Sequence, residues 1–125
     1  MRKMLGAAAA FATAATAVVA MSGAAQAAPA SGSTVYGCPS GAVCIYGQGV
    51  YPPDNPNPTN VYYSYGAHNL SNQLGYHYVI NNQYGGASAS LCNNYGGTGC
   101  VYTLAQDYAV YYDLTPINSI TLNRP

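Results

Sequence analysis

Four cysteines, two histidines and three aspartates are the side chains with which this chain could do chemistry. Cys92 and Cys100 flank the run Asn-Asn-Tyr-Gly-Gly-Thr-Gly, and Cys38 and Cys44 flank Pro-Ser-Gly-Ala-Val. Such pairs can hold a metal, supply a thiolate nucleophile or close a loop. Zinc knuckles need a tight C-x-x-C or nearby histidines. The intervals here are five and seven residues, and His68 and His77 lie far from both pairs in sequence. No metal site is expected. An even cysteine count in a small exported domain reads as disulfides, and four cysteines allow three pairings. The local pairing, Cys38–Cys44 with Cys92–Cys100, is expected, because each pair flanks a turn rich in Gly or Pro.

Acid–base chemistry is poorly supplied. The chain has no Glu, and Asp54, Asp107 and Asp113 are scattered. A glycosidase needs two carboxyls on either side of the bond it cuts, and neither G-x-S-x-G nor H-E-x-x-H occurs. The chain is read as a non-enzyme. His77, in Gly-Tyr-His-Tyr-Val-Ile, is expected on a strand, either facing outward or bonded to a loop carbonyl. His68 is expected in a loop, Gly-Ala-His-Asn-Leu-Ser-Asn, with the same bland role. Asn69-Leu70-Ser71 fits a glycosylation acceptor pattern.

The first residues set the compartment. Arg2 and Lys3 precede an apolar run from Leu5 to Met21, and Ala25-Gln26-Ala27 offers a small-x-small cleavage site. This predicts a signal peptide over 1–27 and a secreted mature chain of a single domain, 28–125. The run is too short and too weakly apolar for a membrane anchor. Cleavage leaves Arg124 against three aspartates, a net charge of about −2. Without a basic patch, neither a phosphate backbone nor an anionic membrane is an expected partner. All 14 tyrosines lie beyond the signal segment, and so aromatic-rich a chain does not read as disordered.

Short runs of Tyr, Val and Ile alternate with clusters of Gly, Asn and Pro, which predicts an all-β sandwich or barrel. The expected strands are Val43–Tyr46, Val61–Tyr65, Tyr76–Ile80, Ala87–Cys92, Val101–Leu104, Tyr108–Leu114 and Ile117–Leu122. Tyr on both faces of these strands suits a thin sandwich. Tyr51 to Asn60, with four prolines, reads as a stiff surface loop. Asn81 to Ser88 reads as a connection between two halves, 35–82 and 83–125.

Three stretches then resemble a known family. They are Cys38–Gly49 (CPSGAVCIYGQG), Asn69–Cys100 (NLSNQLGYHYVINNQYGGASASLCNNYGGTGC) and Tyr108–Leu122 (YAVYYDLTPINSITL). Together they resemble the small secreted actinobacterial proteins of peptidase inhibitor family I36. The resemblance implies a βγ-crystallin-like fold, two Greek-key motifs packed as a β-sandwich, and the same local disulfides. It implies inhibition of thermolysin-like metalloproteases and places the reactive bond at Cys92–Asn93. In the family the residue after that bond is apolar; here it is Asn93, and the loop is longer. Cys100–Val101, where an apolar residue follows a cysteine, is the alternative.

Calcium-binding relatives of that fold use a run of Asn or Asp ending in Ser or Thr, whose oxygens ligate the ion. The matching stretch is Thr115-Pro116-Ile117-Asn118-Ser119, with Pro116 in a ligand position. No cofactor is expected, and calcium binding at most weak. Two functions follow: a contact inhibitor of an extracellular protease, or a cell-surface or cell-wall protein that self-associates or binds cell-wall polysaccharide. The stapled loop suits the first, which is the leading reading; tyrosine faces and low net charge suit the second, the alternative.

Overall fold

A computed structural model describes residues 32–125. The proposed signal segment, 1–27, lies outside them. Eight strands form: β1 (Ala42–Ile45), β2 (Asn60–Tyr62), β3 (Gly66–Asn69), β4 (Tyr76–Asn82), β5 (Ser88–Cys92), β6 (Cys100–Leu104), β7 (Ala109–Asp113) and β8 (Ser119–Asn123). They make two four-stranded sheets, β2-β1-β4-β7 and β3-β8-β5-β6, and every pairing is antiparallel. Among the described residues no helix is long and apolar enough to cross a membrane.

The strand order has an internal symmetry. The first sheet holds the second, first and fourth strands of residues 35–82, closed by β7 from the other half. Read from its β6 edge, the second sheet holds the second, first and fourth strands of 83–125, closed by β3. Each half therefore lends its third strand to the other's sheet.

Alternation along the strands sorts the side chains. On β4, His77, Val79 and Asn81 turn between the sheets, while Tyr76, Tyr78 and Ile80 turn outward. On β7, Val110 and Tyr112 pack on the inter-sheet core and Tyr111 lies outside, as the alternation predicts. That core is built of Val43, Ile45, Val79, Leu91, Leu114 and Ile120, with smaller neighbours. A second apolar cluster covers part of the first sheet's outer face. There Cys38, Cys44, Tyr46 and Ile80 pack with Val35 and Val50. The Cys38–Cys44 disulfide lies within it, fully buried.

The structure corrects two strand boundaries. The expected strand Val61–Tyr65 ends at Tyr62, and the chain then crosses to the second sheet as β3. Gly66 makes the turn with φ +104, a conformation that other residues rarely adopt. His68 therefore lies on a strand and not in a loop. Its ring stacks on Tyr62 at 4.7 Å, and Nε2 lies 2.8 Å from the Ser64 carbonyl. The second correction is β4, which runs on through Asn81 and Asn82. Both side chains are buried and bonded. Asn81 Nδ2 donates to the Ala87 and Leu104 carbonyls at 3.1 and 3.0 Å, tying the first sheet to the end of β6. Its Oδ1 accepts from Gln83 N and Nε2. Asn82 Nδ2 donates to the Ser33 and Cys38 carbonyls, each at 2.9 Å. Buried amides are tolerated when their donors and acceptors are met in this way.

Candidate functional site

The Cys92–Cys100 disulfide joins directly opposed residues of β5 and β6, and it closes the loop 93–99. Both disulfides have the local pairing expected from the sequence. Asn93 N donates to the Gly99 carbonyl at 2.9 Å and Asn94 N to the Thr98 carbonyl at 3.1 Å, so the loop is itself a tight hairpin end. A short 3-10 turn, Tyr95–Gly97, forms its tip. Tyr95 is 62% exposed there.

Residues distant in sequence brace this loop. Asn118 N donates to the Cys92 carbonyl at 3.0 Å, and Asn118 Nδ2 donates to the Asn93 carbonyl at 2.8 Å. Ser119 Oγ donates to the Asn94 carbonyl at 2.6 Å and accepts from Gly97 N at 3.0 Å. Asn69 Oδ1 accepts from Gly96 N at 2.8 Å. Asn118 and Ser119, read from sequence against a calcium-ligand pattern, thus spend their polar atoms on the loop. Asn69, read as a glycosylation acceptor, does the same. Sequence reasoning missed all three as loop supports, because each acts across 22 to 27 residues.

The two candidate bonds stand in different surroundings. Cys92 is fully buried in β5, which lies between β8 and β6, and its carbonyl already accepts the Asn118 N–H. Asn93 is exposed. Cys100 and Val101 lie on β6, which among the described residues is an edge strand paired only with β5. Leu91 opposes Tyr102, and Cys92 opposes Cys100. Val101 is therefore the extra residue of a β-bulge, 52% exposed. A bulge bends its strand and re-aims the unpaired side chain.

The histidines are not brought together. His68 sits on β3 of the second sheet and His77 on β4 of the first. His77 is buried, with Nδ1 2.6 Å from the Tyr46 carbonyl and Nε2 2.9 Å from the Leu74 carbonyl. Of the two roles expected for it, the bond to a loop carbonyl is the one observed. Asp113 accepts from Thr115 N at 3.0 Å. Hydrogen bonds from the Thr115 side chain and backbone hold its carboxyl below the ordinary aspartate range. Among the described residues no group of three or more His, Cys, Asp or Glu is placed to hold a metal ion. What the arrangement offers is a braced loop and an open strand edge, which is equipment for contact. No family model, curated protein or solved structure matches the chain.

Proposed function

We propose that this chain is an exported contact inhibitor, of the kind grouped in peptidase inhibitor family I36, with a βγ-crystallin-like Greek-key fold. Its target is an extracellular, thermolysin-like metalloprotease, and the bond presented is Cys100–Val101. The exchange of third strands between two similarly ordered sheets supports the Greek-key reading. Two disulfides accord with an oxidising compartment.

The observation that carries the inhibitory reading is the exposed bulge at Val101 on a free strand edge. A partner that takes an extended peptide can add its own strand to such an edge. Enzymes of this class favour an apolar residue after the cut bond, which Val101 supplies and Asn93 does not. The buried Cys92 carbonyl argues further for Cys100–Val101 over Cys92–Asn93. If the bond were cut, Cys100 would stay tied to Cys92, and the chain after Val101 would stay in the β6–β5 ladder from Tyr102 on. The ends would not separate, and a pre-ordered loop loses little entropy on docking.

The test is a titration of thermolysin-like and serine proteases with the purified protein. Inhibition of the metalloprotease that is lost in Val101→Asp and kept in Asn93→Leu supports the reading. Absence of inhibition of either class at micromolar protein would end it.

A further inference from the structure

The outer face of the first sheet carries a second feature, unrelated to the loop. Tyr76, Tyr78 and Tyr111 stand side by side on β4 and β7, and Tyr51 leans in from the proline-rich loop. Ring centroids are 5.2 Å apart for Tyr76–Tyr111, 4.5 Å for Tyr78–Tyr111 and 5.7 Å for Tyr51–Tyr78. Beside this row the surface is concave. Tyr36, Tyr51, Pro52 and Pro53 wall a cavity of about 180 Å³ over Tyr78, Ile80 and Ala109. A neighbouring cavity of about 230 Å³ shares Tyr36, Ile80 and Ala109 and ends at Asp107 and Tyr108. Their shared lining makes the two adjoining parts of one trough.

Tyr36 marks the place where the cavities meet, and its backbone is unusual. It has φ +46 in a tight turn closed by reciprocal Val35–Cys38 backbone bonds. A bulky residue in the left-handed region costs free energy. The conformation is held by Tyr46, whose buried hydroxyl donates to the Tyr36 carbonyl at 2.6 Å. Half of the Tyr36 side chain stays exposed along the trough. The fold thus spends strain on displaying an aromatic ring rather than burying it.

The chemistry of the lining selects the occupant. Among the described residues no cation lines the trough, and the one charged side chain there is Asp107. Arg124 lies instead over the Tyr65 ring, at 4.4 Å. An anionic polymer finds no counter-charge here. The trough offers the rings and hydroxyls of Tyr36, Tyr51, Tyr78 and Tyr108, and the Asp107 carboxylate as an acceptor at one end. Sugars present the complement, C–H faces that stack on aromatic rings and hydroxyl rims that hydrogen-bond. We propose that this tyrosine trough binds an uncharged polysaccharide chain of flat, β-linked sugars. The site is independent of the inhibitory reading and shares no residue with it.

The experiment is co-sedimentation of the purified protein with insoluble chitin and cellulose. Calorimetry with the corresponding soluble hexasaccharides accompanies it. Binding to at least one glycan is expected. Tyr51→Ala and Tyr108→Ala, both at exposed lining positions, should each weaken it about tenfold, while Tyr108→Phe largely retains it. Tyr95→Ala, in the loop of the other sheet, should bind as the parent does, and melting temperatures confirm that the variants are folded. Failure to bind either glycan overturns the proposal, as does binding that ignores both alanine substitutions. Concentration-dependent dimerisation abolished by the same substitutions, without glycan binding, also overturns it and assigns the face to a second copy of the chain.

Discussion

His77 Nδ1 lies 2.6 Å from the carbonyl oxygen of Tyr46, a residue 31 positions earlier and just beyond the end of β1. The other ring nitrogen lies 2.9 Å from the Leu74 carbonyl. Whichever nitrogen carries the proton, a carbonyl acceptor waits for it. The ring thus ties the turn before β4 to the chain leaving β1. His77→Ala would leave carbonyl groups beneath the first sheet without their donor. A loss of about 1–3 kcal/mol is expected, read as a lower urea midpoint with an unchanged slope. A midpoint equal to that of the parent would show that the bridge contributes nothing.

Tyr46 makes stability depend on alkali. Burial raises its hydroxyl above the ordinary tyrosine range. In the unfolded chain the same group ionises near its usual pKa of about 10. Its contribution is therefore complete below about pH 10 and is lost as the pH rises through the folded value. Denaturation at a series of pH values should show stability falling above pH ~10. Tyr46→Phe should flatten that limb relative to the parent. An identical limb in both proteins would place the effect on the other tyrosines.

The loop tip separates two causes of glycine dependence. Gly96 has φ +75 and open space where a Cβ would stand, while Gly97 has φ +82 and no such space. A Cβ at Gly97 would meet Thr121 Oγ1 at 2.7 Å and Ala67 Cβ at 3.0 Å. Gly96→Ala should cost about 1 kcal/mol, the strain of a left-handed residue alone. Gly97→Ala should cost more, about 1–3 kcal/mol, and lift the loop from β3 and β8. Thermal melts with amide exchange at Asn94 and Gly97 distinguish the two.

Opening the Cys92–Cys100 bridge tests the loop as a unit. The chain-entropy account gives a bridge of this span about 2–3 kcal/mol. The double substitution Cys92→Ser, Cys100→Ser should therefore unfold at lower denaturant. A thermolysin-like protease should cut it faster at the bond before Val101, because the new ends are no longer tied. Mass mapping of the fragments identifies the cut. Equal rates in parent and variant would remove the bridge from the inhibitory reading.

Sequence reading reached the all-β class and both disulfides. It also placed six of the eight strands close to where they lie. These depend on local signals, namely β-branched and aromatic runs punctuated by Gly, Asn and Pro. The misses have a common cause. Gly66–Asn69 carries no apolar alternation and is a strand only because β8 accepts it as a neighbour. Asn81 and Asn82 read as turn formers, yet carbonyls elsewhere in the fold satisfy their amides. At the loop, Asn69, Asn118 and Ser119 were legible as polar residues and illegible as braces. The Val101 bulge was hidden too. One extra residue in a five-residue strand leaves no trace in its periodicity, and only the opposing strand reveals it.

The exchange of third strands also bears on how the chain is made. A chain leaving the ribosome N-terminus first has β1, β2 and β4 in hand once residue 82 is out. Their sheet still lacks its border strand until residue 113 has followed. β3 meanwhile has no neighbour until β8, at 119–123, is synthesised. Folding is therefore a late event set by the last strands, with non-local pairings that are intrinsically slow to form. A chain ending before β7 would lack Tyr111 and present an open β4 edge beside Tyr76 and Tyr78, a state prone to association with a second copy.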